Sequence, residues 1–402
     1  MKKKILFAIN TLGHAGAEMA MLELMKQFDL NQYEISLYVL MEQGELVHQI
    51  PPGVKLLNKR YNDASVLSKA GYKNMLKTLS RAALKNANIF RLIPYIIKST
   101  FSMIKTEHFK VEKLLWRLVS EGAQPPQENY DLAIAYLEGG AAYFVADHVK
   151  AKQKAAFIHI DYQKAGYTRE LDHECYLKYQ KIFTVSDEVK THFLKVYPDC
   201  KSKTHVFHNF INQDSIRQRS KEPGGFIDSF DGIRLLTVGR LTQQKAYDVA
   251  ISAMKVLKSR GIHARWYVLG EGPLRPMLEK MIMKEKLVND FNLLGAVSNP
   301  YPYFNQADIY IHATRFEGKS VAIQEAQTLG CAIIASNRSG NIEQIEDGID
   351  GILCELSAES IADSVIRFMN QSELMKTCSE AARKKKINYF EDLNQLFEMI
   401  ES

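Results

Sequence analysis

The sequence predicts an α/β protein of two domains, each a parallel sheet with helices on both faces. Three observations lead there. The chain has 402 residues, more than one ordinary core accommodates. Short apolar runs alternate with amphipathic helical stretches almost from end to end, the pattern of βαβ units whose strands are buried on both faces. The strand series breaks once, at a polar stretch holding Pro223, Gly224 and Gly225, which reads as a linker.

The first series of strand candidates is 5–10, 35–40, 132–137, 155–160, 181–186 and 204–209. The second is 234–239, 265–270, 291–295, 308–313 and 331–336. Between them lie helical patterns such as AEMAMLELMKQF, with apolar residues at 21, 22, 24, 25 and 28. The expected division is a first domain over 1–210, a linker over 211–232, a second domain over 233–384, and a helix over 385–402 crossing back to the first domain. No solenoid-length repeat is present.

Composition excludes several classes. Apolar residues are 46% and charged residues 24%, ordinary for a globular chain. Glycine (22) and proline (11) are too few for collagen-like or low-complexity sequence. There is no apolar run of about 18 residues to span a bilayer. The start MKKKILFAIN offers only Ile5 to Ile9 as an apolar stretch, short of the roughly 7–15 residues of a secretory signal. It reads as a first strand at a cytoplasmic N-terminus. The five cysteines stand apart, with no C-x-x-C, which fits reduced thiols and suggests no zinc site.

Charge is informative by location. The chain is +6 overall, but residues 59–119 hold thirteen Lys or Arg against three acids. The excess of base is therefore local, and a general affinity for nucleic acid is not expected. This segment interrupts the strand–helix rhythm as a basic helical insertion. Its stretch 87–104 is apolar with flanking cations, and Trp116 is nearby. One reading is an amphipathic region lying on an anionic membrane surface and reaching a lipid-linked acceptor. The other is helices that cover the core of the first domain, with solvated cations.

Four constellations carry possible chemistry. In TLGHAGAEM, Gly13 and Gly16 bracket the turn after the first strand; glycine lets backbone approach a ligand, and a helix N-terminus favours an anion. In TVGRLTQQKAYD, Arg240 and Lys245 follow a strand end, where open α/β sheets bind ligands. Two cations there suit a diphosphate, and the alternative is a surface pair beside a helix start. In VLGEGPLRPMLE, Gly270 and Gly272 make a tight turn before Pro273, a well-formed helix start that brings backbone near a ligand. In HATRFEGKSVAIQEAQTLGCAIIAS, Glu317 and Glu325 flank Gly318, Lys319, Ser320 and Val321. Backbone N–H groups at 318–321 are expected to face a phosphate. Glu325 would accept hydrogen bonds from vicinal ribose hydroxyls, and Glu317 would face a sugar. The alternative is a capping Glu and a solvated Glu.

Weaker candidates sit at strand ends of the first domain: Glu138 and Gly139 in YLEGG, and His159 with Asp161 in FIHID. Two absences matter. There is no Asp-x-Asp to hold a metal against a diphosphate, and no G-x-x-x-x-G-K-[ST] phosphate loop.

Taken together, these motifs resemble glycosyltransferase family 4, the retaining transferases of the GT-B fold. The resemblance spans nearly the whole chain and is strongest over 234–351: VGRLTQQKA, LGEGP, the two glutamates of EGKSVAIQE, and EAQTLGCAIIASNRSGNIEQIEDGIDG. The first half adds the AGAE turn, the strand-end His159, VSDEV (185–189) and Asn209. YLEGG followed by FIHIDY looks like the bacterial branch that builds capsular and other surface polysaccharides. The resemblance implies two Rossmann-like domains facing an interdomain cleft that takes a nucleotide sugar, UDP-linked by family frequency. Arg240 and Lys245 would hold the diphosphate, Glu325 the ribose, and Glu317 would lie near the donor sugar. His159 would approach that sugar from the first domain, and Gly16 would bring backbone toward the phosphates. Glu138 and Asp161 fall on the acceptor side. No cofactor and no metal are expected, and the site is expected to be cytoplasmic, peripheral on the inner face of the plasma membrane.

Three positions depart from the family pattern. Ala246 follows Lys245 where glycine is usual, Ala15-Gly16 replaces a double glycine, and Cys331 stands where proline is common. None removes a charge. The competing functions are a GT-B nucleotide-sugar epimerase or hydrolase, and a non-catalytic GT-B protein that scaffolds a membrane or partner.

Overall fold

The structure is a computed structural model. It describes residues 2–402 apart from Leu67, 86–96, 98–99, 101–110, Lys164, Leu171 and Ser339. The chain divides into two compact units: Met1–Phe210 with Asn388–Ser402, and Ile211–Ile387.

The first unit is built on a seven-stranded sheet in the order β3-β2-β1-β4-β5-β6-β7. Its strands are β1 Lys3–Ile9, β2 Tyr33–Val39, β3 Lys55–Leu56, β4 Tyr130–Ala135, β5 Ala151–Ile158, β6 Lys181–Thr184 and β7 Thr204–Val206. Every pairing is parallel. Central strands must therefore be apolar on both faces, and Ile5 to Ile9 are all fully buried. Alternate residues serve opposite cores. Ile5, Phe7 and Ile9 pack with Met21, Met25, Leu396 and Ile400. Leu6 and Ala8 pack with Phe144, Val119 and Phe193. The terminal helix Asp392–Glu401 thus belongs to the first unit's core.

The second unit holds a six-stranded parallel sheet in the order β10-β9-β8-β11-β12-β13. These strands are β8 Ile233–Val238, β9 Ala264–Leu269, β10 Phe291–Gly295, β11 Ile309–His312, β12 Ala332–Ser336 and β13 Ile352–Cys354. Residues 211–232, read from sequence as a linker, pack here. The helix Gln213–Arg219 places Ile216 in the core beside Ile323, and Asp228 accepts from Tyr267 and Arg265. The strands β3 and β13 also went unread in the sequence.

The basic insertion resolves in part. Its apolar stretch 87–104 falls outside the described residues except Ile97 and Thr100. The helices flanking it are Lys69–Lys85 and Val111–Gly122. Among the described residues, two of these cations are not surface groups. Lys113 is buried against Asp172 (2.8 Å), and Arg117 is buried, donating to Asp147 (2.5 Å). Asp172 also accepts from Tyr143 (2.6 Å) and Tyr162. Trp116 packs on the same core. The helix Val111–Gly122 is therefore anchored by ion pairs and aromatic packing, which assigns that end of the segment to covering the core. The helix Lys69–Lys85 differs. Lys69, Lys73, Lys77 and Arg81 recur every fourth residue, and among the described residues only Arg81 meets a carboxylate, Glu42 at 3.1 Å. Like charges at that spacing cost about 0.2–0.5 kcal/mol per pair.

All five cysteines are buried free thiols. Among the described residues no helix is long and apolar enough to cross a membrane.

Candidate functional site

The carboxyl ends of β8, β9 and β11 lie side by side, so the loops after them share one edge of the second sheet. Close approach is built in at Gly270. Its φ is 149°, its N–H donates to Gly295 O (2.8 Å), and a Cβ there would lie 2.0 Å from Gly239 O. No side chain fits between the two strand ends, so packing alone demands this glycine.

The loop after β8 carries Arg240 and then a short turn, Gln243–Lys245. Arg240 is exposed and its side chain has no partner among the described residues. Lys245 is drawn in and paired with Glu317, the two side chains being 15% and 14% exposed. The turn between Lys245 and the next helix passes through Ala246 at φ 45°, ψ 38°. That left-handed conformation suits glycine and strains alanine. The departure from the family's glycine thus leaves the turn in place at a cost in strain.

Two loops are stapled to each other. Arg315, after β11, donates to both oxygens of Asp248 (3.0 and 2.6 Å) and to Gln243 O (2.7 Å). Thr314 Oγ1 donates to Gln244 O (3.0 Å), and Gln244 Nε2 donates to Phe316 O (3.0 Å). These bonds set Lys245 against Glu317 across 72 residues of sequence.

Glu317 has further partners. Gln244 Nε2 reaches Oε1 (3.3 Å), and His312 Nε2 reaches Oε2 (3.3 Å). A carboxylate has no proton to give, so Nε2 carries the hydrogen and Nδ1 accepts from Tyr310 OH (2.9 Å). Burial pushes the Glu317 carboxyl up, but the Lys245 ammonium and His312 outweigh it and hold the group well below the usual carboxylate range. Burial and the Lys245 charge push His312 down, so its ring is neutral. Sequence reasoning missed His312, Gln244, Asp248 and Arg315. All four lie inside the stretches TVGRLTQQKAYD and HATRFEG that carry the charged candidates, but their pairing across the two loops has no local signal, and a histidine ending a buried strand reads as core.

The helix Val321–Leu329 begins at Ser320, whose side chain accepts from Ile323 N–H. The expectation that N–H groups at 318–321 face a phosphate needs correction at Ser320. Its N–H donates to Gln344 Oε1 (2.7 Å), and Gln344 Nε2 returns a bond to Ser320 O (2.9 Å). This amide clasp fixes the loop and leaves Gly318, Val321 and Ala322 N–H without partners among the described residues. Lys319 lies in the loop between them.

Glu325 sits on the second turn of that helix and is buried. Tyr301 OH donates to Oε1 (3.0 Å), and the Arg219 guanidinium lies 4.8 Å over the Tyr301 ring. Burial pushes the Glu325 carboxyl up to about 7, with Tyr301 and Arg219 pulling the other way. Tyr301 and Arg219 were also invisible in the sequence.

In the first unit, the structure brings two weak candidates together. Glu138 Oε2 accepts from His159 N–H (3.1 Å). Burial raises the Glu138 carboxyl and pushes His159 down to about 3. His159 Nε2 is buried without a partner among the described residues. Gly139, at φ 81°, and Gly140 leave space filled by the Trp116 ring. Asp161 is buried against His192 (2.8 Å), with Glu188 close enough that all three offer ligand atoms within 4.8 Å of one another. Gly16 is the first residue of the helix Gly16–Met25.

Residues 229–385 match the family model "Glycosyl transferases group 1". Among curated relatives, an amylovoran biosynthesis glycosyltransferase of Erwinia amylovora is 30% identical over 42% of this chain and 44% of its own. An N-acetylgalactosaminyltransferase of Campylobacter jejuni, acting on a diphospho-undecaprenol, is 27% identical over 47% of this chain and 50% of its own. A capsular polysaccharide glycosyltransferase of Staphylococcus aureus is 25% identical over 38% and 41%. The chain spans about half the length or less of these relatives. Among solved structures, Anabaena HepE with UDP superposes with TM-score 0.66 at 15% identity over 100% of both chains. Sucrose-phosphate synthase of Thermosynechococcus elongatus does so with TM-score 0.66 at 12% identity, over 100% of this chain and 98% of that one. Residues 229–385 thus match the glycosyl transferases group 1 model, and the chain as a whole has the two-sheet GT-B fold of the solved glycosyltransferases.

Proposed function

We propose that the protein is a retaining glycosyltransferase. It moves a hexose or N-acetylhexosamine from a UDP-sugar to a cell-surface glycan or lipid-linked acceptor. The observation that carries this reading is Lys245, held on Glu317, together with Arg240, whose side chain has no partner among the described residues, at the carboxyl edge of the second sheet.

The chemistry follows from charge. As the glycosidic bond stretches, negative charge grows on the departing diphosphate. Cations already fixed there stabilise the transition state more than the ground state. Arg240 meets the diphosphate from solvent, and Lys245 turns to it from Glu317. Val321 and Ala322 N–H, at a helix N-terminus, add oriented dipoles. Glu317, relieved of Lys245, keeps His312 and Gln244 and offers its carboxylate to hydroxyls of the donor sugar. Glu325 accepts from the ribose hydroxyls when ionised. The resemblance assigns His159 and Gly16 of the first unit to the same donor, and Glu138 and Asp161 fall on the acceptor side. Two side-chain cations supply the charge that a metal provides elsewhere, so turnover should need neither metal nor cofactor. UDP is favoured because the HepE complexes contain UDP and UDP-glucose. A lipid-linked acceptor is supported by the diphospho-undecaprenol in the Campylobacter relative's name. Retention follows the family resemblance. We place the enzyme in the cytoplasm, peripheral on the inner face of the plasma membrane.

The test is UDP release over a panel of UDP-sugars with acceptor extracts, with and without EDTA. The proposal expects release that survives EDTA and is lost in Arg240→Ala. Release that needs a divalent ion, or that ignores Arg240, would remove its basis.

A further inference from the structure

We propose that the first unit carries its own phosphate pocket, fitted to a phosphate or diphosphate group borne by the acceptor. Only the word acceptor rests on the glycosyltransferase reading; the pocket itself stands on its geometry.

Just beyond β2, at the carboxyl edge of the first sheet, lies a cavity of about 170 Å³. Arg60, Lys77 and Arg81 line it, with Glu42, Asn62 and Asn74. Open α/β sheets take their ligands at this edge. Three cations face one carboxylate, and only Arg81 is paired with it, at 3.1 Å. The side chains of Arg60 and Lys77 have no partner among the described residues. The walls are already held: Asn74 Nδ2 donates to Gln43 Oε1 (2.8 Å), Asn62 N–H to Glu42 O (2.9 Å), and Tyr61 OH to Gly44 O (3.0 Å). Binding there requires no loop to be built.

The sequence of the neighbouring helix supports the same ligand. Lys69, Lys73, Lys77 and Arg81 form a basic stripe along Lys69–Lys85, and Lys77 and Arg81 of that stripe line the cavity. A helix with like charges every fourth residue works against its own stability. Acidic residues among them would relieve the repulsion, and the helix contains none. An anion would relieve it too. Arginine forks and amide donors are the usual partners of phosphate oxygens. The volume falls below the roughly 300 Å³ at which pockets for larger ligands begin. It suits a phosphate or diphosphate. That chemistry has two sources, a diphosphate on a lipid-linked acceptor and the phosphates of bulk headgroups.

The test fills the donor site with UDP and then titrates inorganic pyrophosphate by calorimetry. A further binding event is expected, weakened about tenfold in Arg60→Ala/Lys77→Ala. It should be unchanged in Lys150→Ala/Lys201→Ala, which removes the same charge from exposed sites away from the cavity. No second event, or equal weakening in both double variants, overturns the pocket. UDP binding is read first and separately. Its failure would count against the second unit's assignment, whereas UDP binding without a pyrophosphate event would count against the pocket alone. Vesicles then separate the sources. Phosphatidylcholine vesicles carrying a polyprenyl diphosphate are compared with vesicles of equal charge carrying phosphatidylglycerol. A preference for the former that Arg60→Ala/Lys77→Ala abolishes supports the pocket with a lipid-linked diphosphate. Equal binding to both, lost in that variant, supports it with headgroup phosphates. Vesicle binding indifferent to the variant overturns the proposal.

Discussion

Replacing Lys245 with Met should damage the protein in two separable ways. Lys245 and Glu317 are 15% and 14% exposed, so the pair stands mostly out of water. Removing one partner of a buried ion pair costs about 3–5 kcal/mol, because the other charge is left behind. Here His312 and Gln244 remain on the carboxylate, each at 3.3 Å. We therefore expect Lys245→Met to lose about 2–3 kcal/mol near neutral pH. Adding Glu317→Gln removes the stranded charge and should bring stability back to within about 1 kcal/mol of the parent. Activity should not return. A missing fixed charge at the leaving diphosphate costs about 10²–10³-fold in rate, and the double variant still lacks it. The pH dependence has a definite sign. The Glu317 carboxyl is held low in the folded chain, so the pair's stabilisation is present above the ordinary glutamate value. It is lost as pH falls through the folded one, and the gap between parent and Lys245→Met should close in acid. Urea unfolding measures the stabilities. The chain has two tryptophans, and a Trp116→Phe background leaves Trp266, in the second unit, as the reporter. UDP release measures the activities. A double variant as unstable as the sum of its singles, or Lys245→Met releasing UDP within about twofold of the parent, would refute the reasoning.

Other outcomes follow from the same structure. Glu325 titrates near 7, and ribose hydroxyls need its ionised form, so UDP should bind more tightly as pH rises from 6 to 8; Glu325→Gln should remove that part of the dependence, leaving only the phosphate's own titration in calorimetry. Because its folded value is raised, Glu325 stabilises the protein least above pH 7, so Glu325→Gln should gain stability of about 1–2 kcal/mol at pH 8 and less at pH 5, read by urea unfolding. Ala246→Gly should stabilise the second unit by about 1 kcal/mol, since glycine accepts φ 45° without strain; a lower melting temperature would contradict this. Lys113→Met strands Asp172 among Tyr143 and Tyr162, and should cost the first unit about 3–5 kcal/mol, measured with Trp116 as the reporter in a Trp266→Phe background.

The fold was legible because parallel strands buried on both faces must be apolar runs. Ile5 to Ile9 and Ile309 to Ile311 carry that signal plainly. The strands Lys55–Leu56 and Ile352–Cys354 did not, being too short for any period to register. Residues 211–232 misled through composition. Several of their polar side chains bond to the second unit, as Asp228 does with Tyr267 and Arg265, while Ile211, Ile216 and Phe226 pack on its core. The site was half legible. Glycines at strand ends and cations after them declare themselves locally. The pairing of Lys245 with Glu317 joins loops 72 residues apart, and His312, Tyr301 and Gln344 act through contacts that no local pattern encodes. The basic insertion shows the same limit. Sequence counts its charges, but only the fold shows that Lys113 and Arg117 are held on carboxylates, Asp172 and Asp147, while the side chains of Lys77 and Arg60 meet none among the described residues.

The most direct test is a crystal structure of the chain with UDP. The account predicts the diphosphate within hydrogen-bond reach of Arg240 and Lys245, with Lys245 swung from Glu317 and the ribose hydroxyls on Glu325. A diphosphate seated away from both cations, or neutralised by a bound metal ion while Lys245 stays on Glu317, would contradict it.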